Sequence, residues 1–489
     1  MAKDKPLRPK ARLPRGFRDR SGAELAAERR MLDTVRGVYE SYGFSALETP
    51  AFEYTDALGK FLPDIDRPNE GVFSLRDEDE QWLSLRYDLT APLARYVAEN
   101  FQDLPKPFRR YAVGRVWRNE KPGPGRFREF TQFDADTVGS SSPAADAELL
   151  IMVCDVLKAL GLAGSDFALK VNNRKLLDGV LDAARVEPSR RGVVLRAIDK
   201  LDRLGLGGVR DLLGSGRKDE SGDFTRGAEL EAAQIRIVEK FLGSAPPDPT
   251  LGNLERWWAD IAPGHEGGAA QGLAEVAQIF ALVDHSGHQG RIHLDPTVVR
   301  GLDYYTGPVF EAQLTFPVTN EAGEAVIFGS VAGGGRYDDL VARFTGQAVP
   351  ATGISIGVSR LMSALMSRGA LTLAEDPLVL VLSMGDVARA FELAHQLRQA
   401  GIRSEAYVGT KRIPDQLKYA DKRGAAIAVL EGEDERAAGT ITLKDLALGL
   451  ELAKSIETRA AWVQERPAQT TIGRADLVAE VTRMLGRQS

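Results

Sequence analysis

The sequence predicts an α+β fold built from a mostly antiparallel sheet, a helical insertion and a C-terminal α/β region along 489 residues. Three patterns indicate this. Short aromatic or β-branched segments separated by Gly and Pro turns occur before residue 140 and again at 309–332, which is typical of antiparallel strands. The stretch from 143 to about 290 is rich in Ala, Leu and Glu and favours helices. From Pro377 onward, apolar strands and helices alternate as in βαβ units.

The first elements are a helix and an interrupted strand. Residues 23–42 carry apolar side chains near helical spacing, and Gly43 ends the pattern. Residues 44–52 (FSALETPAF) are predicted as a strand that Pro50 interrupts, because a residue without an N–H group is best tolerated at a sheet edge or a bulge. Further strands of this region are predicted at 82–86, 111–118, 127–136, 309–314 and 325–332.

Changes in pattern along the chain predict its domains. Residues 1–20 form a basic tail, residues 21–375 a first domain with the helical insertion at about 172–290, and residues 376–489 a second, α/β domain with a parallel-leaning sheet. The second domain is predicted to contain a strand at 378–384, a helix at 387–400 and a strand at 425–430.

Charge, hydropathy and cysteine content exclude several classes of protein. The 63 Lys and Arg against 69 Asp and Glu give a net charge of −6, which argues against a protein covered in basic patches, as a histone is. No apolar run approaches the roughly 20 residues that a membrane-spanning helix needs, and the first residues lack the apolar core of a secretory signal. The single cysteine, Cys154, cannot form an internal disulfide, so we expect a cytoplasmic protein.

Two short windows are nevertheless strongly basic. Residues 1–20 carry eight Lys or Arg against two Asp, and residues 106–128 carry eight against Glu120 alone. Such windows attract a polyanion even when the whole chain is acidic. For the first window, the alternative is a solvated tail.

Residues 115–136 (RVWRNEKPGPGRFREFTQFDAD) are the densest candidate site. Two predicted strands flank a Gly/Pro loop, and alternation along the strands permits one polar face. A polar face on a buried strand serves a ligand or a network, since an unpaired charge there is costly; a solvated hairpin face is the alternative. The side chains assigned to the polar face are Arg118, Glu120, Arg128, Gln132, Asp134 and Asp136.

Further segments add candidate ligand groups. Residues 298–311 (VVRGLDYYTGPVFE) combine Arg300 and Asp303 with two tyrosines, which suits a small charged or heteroaromatic ligand, although the tyrosines could simply pack in a core. The glycines of VAGGGRYDDL allow close backbone approach to a ligand, and ATGISIGVSRL places Arg360 one turn into a helix. The run DHSGHQGRIH predicts a solvated connector rather than a zinc site, because it offers no cysteine and no suitably spaced carboxylate.

Taken together and in this order, the segments resemble the histidyl-tRNA synthetase family of class II aminoacyl-tRNA synthetases. Residues 44–53 look like class II motif 1, residues 115–136 like motif 2 and residues 353–361 like motif 3. RGLDYYTGPVFE and AGGGRYDDL resemble the two signatures that distinguish this family within the class, and LRYDLTAPLARY is similar to its amino-acid-binding stretch. Residues 419–435 resemble its anticodon-binding domain.

The resemblance implies a fold and a reaction. The fold is a class II synthetase antiparallel sheet flanked by helices, with a helical insertion and a C-terminal α/β anticodon-binding domain, in a homodimer joined through motif 1. The reaction activates L-histidine with ATP to histidyl-adenylate, releases pyrophosphate, and transfers histidine to the 3′ end of tRNA(His). Mg²⁺ is expected to be carried by ATP, with no metal bound by the protein alone.

The resemblance also implies roles for individual residues. Two arginines are expected to be catalytic, Arg118 at the α-phosphate and Arg300 at the reacting centre. The expected histidine-binding residues are Asp88, Leu89, Thr90, Gln132, Asp136, Arg300, Tyr304 and Tyr305. The expected ATP-binding residues are Arg118, Glu120, Arg126, Phe130 and Arg360, of which Phe130 stacks on adenine.

A basic cluster in the second domain is expected to contact tRNA, because only Asp415 and Asp421 oppose its charge. Its members are Lys411, Arg412, Lys418, Lys422 and Arg423.

One departure and two alternatives accompany the resemblance. After Pro122 the loop reads Gly-Pro-Gly, where many bacterial relatives carry polar residues thought to read the acceptor end, so the resemblance does not extend to the extra 5′ guanosine of tRNA(His). One alternative is a non-catalytic, synthetase-like regulatory subunit of histidine biosynthesis, although such relatives usually lack the C-terminal domain. The other is an accessory protein that binds nucleic acid without ATP.

Overall fold

The computed structural model describes residues 10–61, 71–122, 127–218, 222–264, 267–299, 305–319, 325–327, 329–371, 375–452 and 468–486. The chain divides into two compact units, Met1–Leu373 and Ala374–Ser489.

The described strands of the first unit are β1 (Ser45–Ala46), β2 (Phe52–Tyr54), β3 (Ser74–Arg76), β4 (Trp82–Leu85), β5 (Phe108–Trp117), β6 (Glu129–Val138), β7 (Phe167–Asn173), β8 (Gly216–Lys218), β9 (Phe224–Arg226), β10 (Ile292–Leu294), β11 (Pro308–Leu314), β12 (Pro317–Thr319), β13 (Ala325–Ile327), β14 (Ser330–Arg336) and β15 (Ala351–Gly357). Its described helices are α1 (Gly22–Ser41), α2 (Thr90–Glu99), α3 (Pro143–Ala159), α4 (Arg174–Ala183), α5 (Pro188–Ile198), α6 (Leu201–Leu213), α7 (Ala232–Leu242), α8 (Leu251–Ile261), α9 (Ala269–Val283), α10 (Ala342–Thr345) and α11 (Val358–Arg368).

An eight-stranded sheet organises the first unit, in the order β1-β5-β6-β15-β14-β11-β7-β10. All pairs from β5 through β7 are antiparallel, whereas the two edge strands, β1 and β10, join in parallel. The predicted α+β class with a mostly antiparallel sheet is therefore confirmed. The sequence pattern did not indicate β7 and β10, because both are short runs inside or beside a region that favours helices.

One face of the large sheet packs against helices. Tyr39 of α1 packs edge-on against Phe133 of β6, with ring centroids 5.1 Å apart, and Tyr111 of β5 lies 5.7 Å from the same ring. Helix α3 is buried along most of its length and includes Cys154. Burial of these apolar side chains holds the sheet in place and leaves its opposite face for polar groups.

Pro50 interrupts the predicted strand at residues 44–52, as expected. The chain forms β1 before the proline and β2 after it, and β2 joins a separate three-stranded sheet in the order β2-β4-β3. The buried Arg86 guanidinium spans the break, since it donates to the carbonyl oxygens of Thr49 at 2.6 Å and of Arg115 at 3.0 Å. One side chain therefore ties the interrupted segment to β5.

The region predicted as a helical insertion contains α4 to α9 and also the hairpin β8–β9, which the sequence pattern missed. The prediction of a solvated connector for the histidine-rich run was wrong for His288, which is 2% exposed. Its Nε2 lies 2.9 Å from Oδ1 of Asp155, and the Tyr42 hydroxyl donates to the other oxygen of that carboxylate at 2.6 Å. Burial lowers the pKa of His288, so the neutral ring is favoured in this joint between α1, α3 and the end of the insertion.

The second unit has a five-stranded sheet in the order β17-β16-β18-β19-β20. Strand β16 pairs in parallel with both β17 and β18, but β19 and β20 add antiparallel strands, so the predicted parallel character holds for one half only. The strands are β16 (Leu378–Val381), β17 (Ser404–Ala406), β18 (Ala425–Leu430), β19 (Thr440–Asp445) and β20 (Gln469–Gly473). The described helices are α12 (Val387–Gln399), α13 (Ile413–Arg423), α14 (Glu433–Ala438), α15 (Leu446–Leu452) and α16 (Leu477–Leu485).

Among the residues described, none of the helices has the length and apolar character required to cross a membrane.

A buried ion pair joins β14 to α3. The Arg336 guanidinium donates to the Asp146 carboxylate and to the carbonyl oxygens of Ser140 at 2.8 Å and Ser142 at 3.1 Å. The side chains of Arg336 and Asp146 are 5% and 0% exposed. Burial raises the pKa of Asp146 to about 6, although Arg336 opposes the shift. The carboxylate therefore depends on this guanidinium for its compensation.

We expect Arg336→Met to lower the free energy of unfolding by about 3 to 5 kcal/mol, because it leaves a buried carboxylate without its counter-charge. The measurement is urea unfolding of the full chain, followed by the intrinsic fluorescence of its five tryptophans. The double variant Arg336→Met/Asp146→Asn should recover part of the loss, since no charge then remains buried. A single variant as stable as the wild type would contradict this account.

Candidate functional site

The face of the large sheet opposite α1 and α3 carries a row of polar side chains from β6. Strand alternation places Gln132, Asp134 and Asp136 on the same face, and all three are at most 8% exposed. On the neighbouring strand β15, Gly357 lies opposite Gln132, and Ser355 lies opposite Asp134. The polar row therefore borders a strip of the sheet with small residues.

Glycines form the floor of this strip. Gly353 lies opposite Asp136, Gly333 lies opposite Ser355, and Gly335 lies opposite Gly353, so these positions share the face of the polar row. A Cβ atom at Gly335 would lie 2.9 Å from the Tyr305 ring, which shows that Tyr305 covers the floor closely. Because the floor lacks side chains, a ligand can approach the backbone between β6 and β11.

Asp136 is held by two partners. Nη2 of Arg110, which is 1% exposed, lies 2.8 Å from Oδ2 of Asp136, and the Tyr337 hydroxyl donates to Oδ1. Arg110 also donates to the Leu89 carbonyl oxygen at 2.9 Å. Burial raises the pKa of Asp136, while the Arg110 charge and the Tyr337 hydrogen bond oppose that rise.

Asp134 is the least compensated carboxylate of the row. It is 2% exposed, and its Oδ1 has no hydrogen-bond partner among the described residues. Burial, and then the charge of Asp136, raises the pKa of Asp134 to about 7. Oε1 of Gln132 also lacks a partner among the described residues, although its amide nitrogen donates to Ser355 at 2.6 Å. Oδ2 of Asp136 also has no hydrogen-bond partner there, although it lies near Arg110, so the row contains three buried acceptor oxygens that no described donor satisfies.

The loop before α2 brings a third carboxylate to this region. Oδ1 of Asp88 accepts the N–H of Ala91 at 2.9 Å, which caps the start of the helix. Burial raises the pKa of Asp88, and the charge of Arg118 opposes that rise. Thr90 is the first residue of α2 and is half-buried. Leu89 is 2% exposed and packs with Ala112 and Val116, so its backbone rather than its side chain is available to a ligand.

Arg118 and Phe130 form a cation–aromatic pair at the end of the β5–β6 hairpin. The Arg118 guanidinium lies 5.1 Å from the Phe130 ring centroid, and its Nε donates to the Tyr87 carbonyl oxygen at 3.2 Å. The carbonyl oxygen of Glu120 accepts from Nε of Arg128 at 2.9 Å across the base of the hairpin. This pair suits a nucleotide, because the guanidinium can bind its phosphates and the ring can stack on its base.

The remaining predicted residues lie elsewhere or outside the described part. Arg360 lies on α11, where its Nη1 donates to the Ser330 carbonyl oxygen at 2.9 Å. Arg126, Arg300 and Tyr304 lie outside the described residues.

Sequence reasoning missed two residues that shape this face, Arg110 and Tyr337, and gave a third, Asp134, no ligand. Asp134 was assigned to the polar face but to no ligand. Arg110 and Tyr337 were not singled out, because their pairing with Asp136 depends on strand register and on a contact across 201 positions of sequence. The sequence signal that could have pointed to Arg110 was the basic window at residues 106–128. In the structure, three arginines of this window form ion pairs within the chain: Arg109 with Glu148, Arg110 with Asp136 and Arg115 with Glu129.

The predicted basic cluster of the second unit lies at the start and along one side of α13. All five cations are exposed. Arg423 is tied to Glu405 at 3.1 Å, and Lys418 lies 3.9 Å from Asp415. Lys411, Arg412 and Lys422 make no ion pair with any residue that the structure describes. Arg412 directly precedes the first turn of the helix, where a cation is unfavourable for the helix dipole unless an anion binds there.

Comparisons with known proteins agree with this geometry. A family model described as histidyl-tRNA synthetase matches residues 16–361, and an anticodon binding domain model matches residues 378–466. The histidine–tRNA ligase of Brucella abortus (strain S19) is 55% identical over 497 residues, which cover 99% of this chain and 98% of the relative. That of Rhizobium rhizogenes is 55% identical over 496 residues, with 99% and 97% covered.

A solved structure gives the same result. The crystal structure of histidyl-tRNA synthetase from Nostoc sp. PCC 7120 matches with a TM-score of 0.73 and 30% sequence identity, covering 97% of this chain and 100% of that chain. The match extends over both units, so both the synthetase part and the anticodon-binding part have counterparts there. The chain therefore belongs to the histidyl-tRNA synthetase family, and it is a ligase that uses ATP to join histidine to tRNA.

Proposed function

We propose that this histidine–tRNA ligase activates L-histidine on the glycine-floored face of the large sheet and recognises tRNA(His) through its second unit. The observation that carries the proposal is the row of buried carboxylates, Asp134 and Asp136, beside the Arg118–Phe130 pair. The ammonium group of an amino acid and the phosphates and base of a nucleotide have their complements side by side there. Adenylate formation needs positioning and charge neutralisation rather than a protein nucleophile.

The histidine pocket uses the carboxylates on both sides of the substrate. Asp88 and Asp136 accept hydrogen bonds from the ammonium and the imidazole, Thr90 and the Leu89 backbone line the loop side, and Gln132 adds an amide. An analogue that lacks these donors leaves buried acceptors unpaired and is rejected. We add Asp134 to this set, because its open oxygen lies between Gln132 and Asp136 on β6. Tyr304 and Tyr305 close the pocket.

The ATP site uses the hairpin and α11. Arg118 binds the α-phosphate beside the histidine carboxylate, Phe130 stacks on adenine, and Glu120 and Arg126 complete the nucleotide contacts. Arg360 binds the distal phosphates. Arg300 bridges the histidine carboxylate and the α-phosphate at the reacting centre; its planar fork suits two anions at once.

Mg²⁺ would enter this site bound to the phosphates of ATP. Among the described residues, no group of three or more His, Cys, Asp or Glu side chains could hold a metal ion. Glu311 of β11 is 9% exposed and lies opposite Gly333 on the glycine-floored face, so its carboxylate would supply the protein ligand beside the phosphates. The ion would neutralise charge on the phosphates.

The regulatory-subunit alternative is not supported. The relatives that align over nearly the whole chain at 55% identity are named histidine–tRNA ligases, and the anticodon binding domain model matches residues 378–466. We also propose a cytoplasmic location, because tRNA and ATP are supplied to translation enzymes there.

We propose that the enzyme is a homodimer joined through the motif-1 region. Three large apolar side chains, Phe52, Tyr54 and Leu75, are 43%, 56% and 45% exposed on the sheet β2-β4-β3. Register places Tyr54 and Leu75 on either side of Leu83, so these residues form one apolar face. Such a face on a small sheet is typical of a protein interface.

We expect Asp134→Asn to raise KM for histidine roughly 10- to 100-fold, because a charged hydrogen bond is removed, while KM for ATP stays unchanged. The measurement is histidine-dependent pyrophosphate exchange. In the wild type, KM for histidine should also fall as pH rises through about 7, because burial raises the pKa of Asp134 to that value and only the ionised form attracts the ammonium. The variant should lack this step.

The matched control is Asp166→Asn, which removes another buried carboxylate, 5% exposed, that pairs with Arg368 at 3.0 Å away from the polar row. It should lower stability without separating the two KM values. Equal KM changes for histidine and ATP in Asp134→Asn would contradict the assignment.

For the dimer, Phe52→Lys should shift the protein toward monomer in light scattering, because it places a charge in a buried apolar contact. Phe224→Lys is the control, since Phe224 is 59% exposed on the β8–β9 hairpin. A dimer that persists in Phe52→Lys would place the interface elsewhere.

For the second unit, the triple variant Lys411→Gln/Arg412→Gln/Lys422→Gln should raise KM for tRNA(His) and leave pyrophosphate exchange unchanged. The dependence of log KM on log salt should weaken by about one unit for each phosphate that the variant no longer neutralises. Neutralising Arg398, Lys444 and Arg483 of the same unit is the control. Normal charging by the first variant would overturn the assigned patch.

A further inference from the structure

The N-terminal arm, residues 10–20, lies against the base of the motif-2 hairpin. The backbone N–H of Arg128 donates to the Gly16 carbonyl oxygen at 2.9 Å. Gly16 has a φ of +85°, and a Cβ there would lie 2.9 Å from Cγ of Arg128 and 3.2 Å from Cβ of Pro122. A glycine is needed here, because the arm passes closely between the two strands that enter and leave the motif-2 loop.

Further contacts fix the second half of the arm. The Phe17 ring lies 5.9 Å from Phe73, and the Arg18 guanidinium lies 4.8 Å from the Phe127 ring centroid. Arg18 pairs with Glu24 of α1, and Arg20, whose side chain is 12% exposed, pairs with Glu28 of the same helix. Residues 16–20 are therefore an anchor whose two arginines are already paired.

The first half of the arm differs in its electrostatics. Lys10, Arg12 and Arg15 are exposed, and none makes an ion pair with a described residue. The N–H of Phe17 donates to the Pro14 carbonyl oxygen at 3.2 Å, and this turn joins the exposed segment directly to the anchor. At about 3.5 Å per residue, Lys10 cannot lie more than roughly 20 Å from Gly16. Three exposed cations are thus tethered beside the motif-2 loop.

From this arrangement we propose that residues 10–15 bind the phosphate backbone of the tRNA acceptor stem. The proposal rests on the proposed function: the 3′ end of the tRNA must then reach Arg118 and Phe130, which lie at the end of the hairpin against whose base the arm packs. The side chains of the exposed segment favour a phosphodiester backbone as the partner. Its cations can neutralise spaced phosphates, and it contains no aromatic ring that could stack on a base.

The division within the arm supports this role over that of a plain solvated tail. A solvated tail has no need of an anchor, whereas residues 16–20 hold this arm through a backbone hydrogen bond, two ring contacts and two ion pairs. Arg18 and Arg20 also line a small cavity with Arg115 and Glu129 of the hairpin. The anchor therefore packs against the hairpin strands, and the exposed cations directly precede that anchor in the chain.

The test compares two triple variants of the full-length enzyme. In Lys10→Gln/Arg12→Gln/Arg15→Gln, KM for tRNA(His) should rise about tenfold at low salt, and the slope of log KM against log salt should weaken by about one unit for each phosphate no longer neutralised. In Lys10→Arg/Arg12→Lys/Arg15→Lys the charge is kept, so KM for tRNA should stay within about twofold of wild type. Either cation neutralises a phosphate, and the planar guanidinium group is not required. Histidine-dependent pyrophosphate exchange should be normal in both.

The substrate distinguishes the acceptor stem from other parts of the tRNA. A minihelix that contains only the acceptor and T stems of tRNA(His) should show the same KM ratio between neutralised and wild-type enzyme. An unchanged KM in the neutralised variant, or a KM effect that vanishes with the minihelix, would overturn the proposal. If wild-type enzyme failed to exchange pyrophosphate with histidine, the proposed function would fail independently of the arm.

Discussion

One buried guanidinium organises the glycine-floored face of the large sheet. Arg110 contacts Asp136 on the neighbouring strand and the Leu89 carbonyl oxygen in the loop before α2. It therefore sets the positions of a carboxylate on β6 and of the loop that carries Asp88. The Tyr337 hydroxyl supplies a further hydrogen bond to Asp136, whereas Nε of Arg110 and Oδ2 of Asp136 have no hydrogen-bond partner among the described residues. Arg110 therefore links β5, β6 and the loop before α2.

The same centre leaves Asp134 only partly compensated. Burial and the Asp136 charge raise the pKa of Asp134, and the Arg110 charge and a hydrogen bond with Ser355 oppose this rise only in part. The face therefore carries an acceptor oxygen that no described residue satisfies. In the proposed function, the ammonium group and the imidazole N–H of histidine supply the missing donors. The cost of burying this carboxylate is borne by the fold before the substrate arrives.

Most of the antiparallel sheet could be predicted from the sequence, because β5, β6 and β11 are aromatic or β-branched runs with turns between them. The same local pattern assigned Asp134 and Asp136 to one face. It could not give their partners, since the Arg110 pairing follows from strand register, and Tyr337 comes from a distant part of the chain. His288 looked like a solvated residue because the Gly-rich run around it hides a tertiary contact with Asp155. The antiparallel direction of β19 and β20 could not be predicted either, because the local sequence does not indicate whether a strand pairs in parallel or antiparallel with its neighbour.

The glycine floor has a consequence for how the enzyme can change over evolutionary time. A side chain at Gly335 would meet Tyr305, and a side chain at Gly353 would meet Asp136. The bottom of the site is therefore made of peptide backbone, which mutation cannot reshape gradually. In the proposed function, new substrate preferences would therefore arise from the side chains around this floor, such as Asp134, Asp136 and Arg118. A lineage that drifts in specificity should keep the same depth of pocket while its rim diverges.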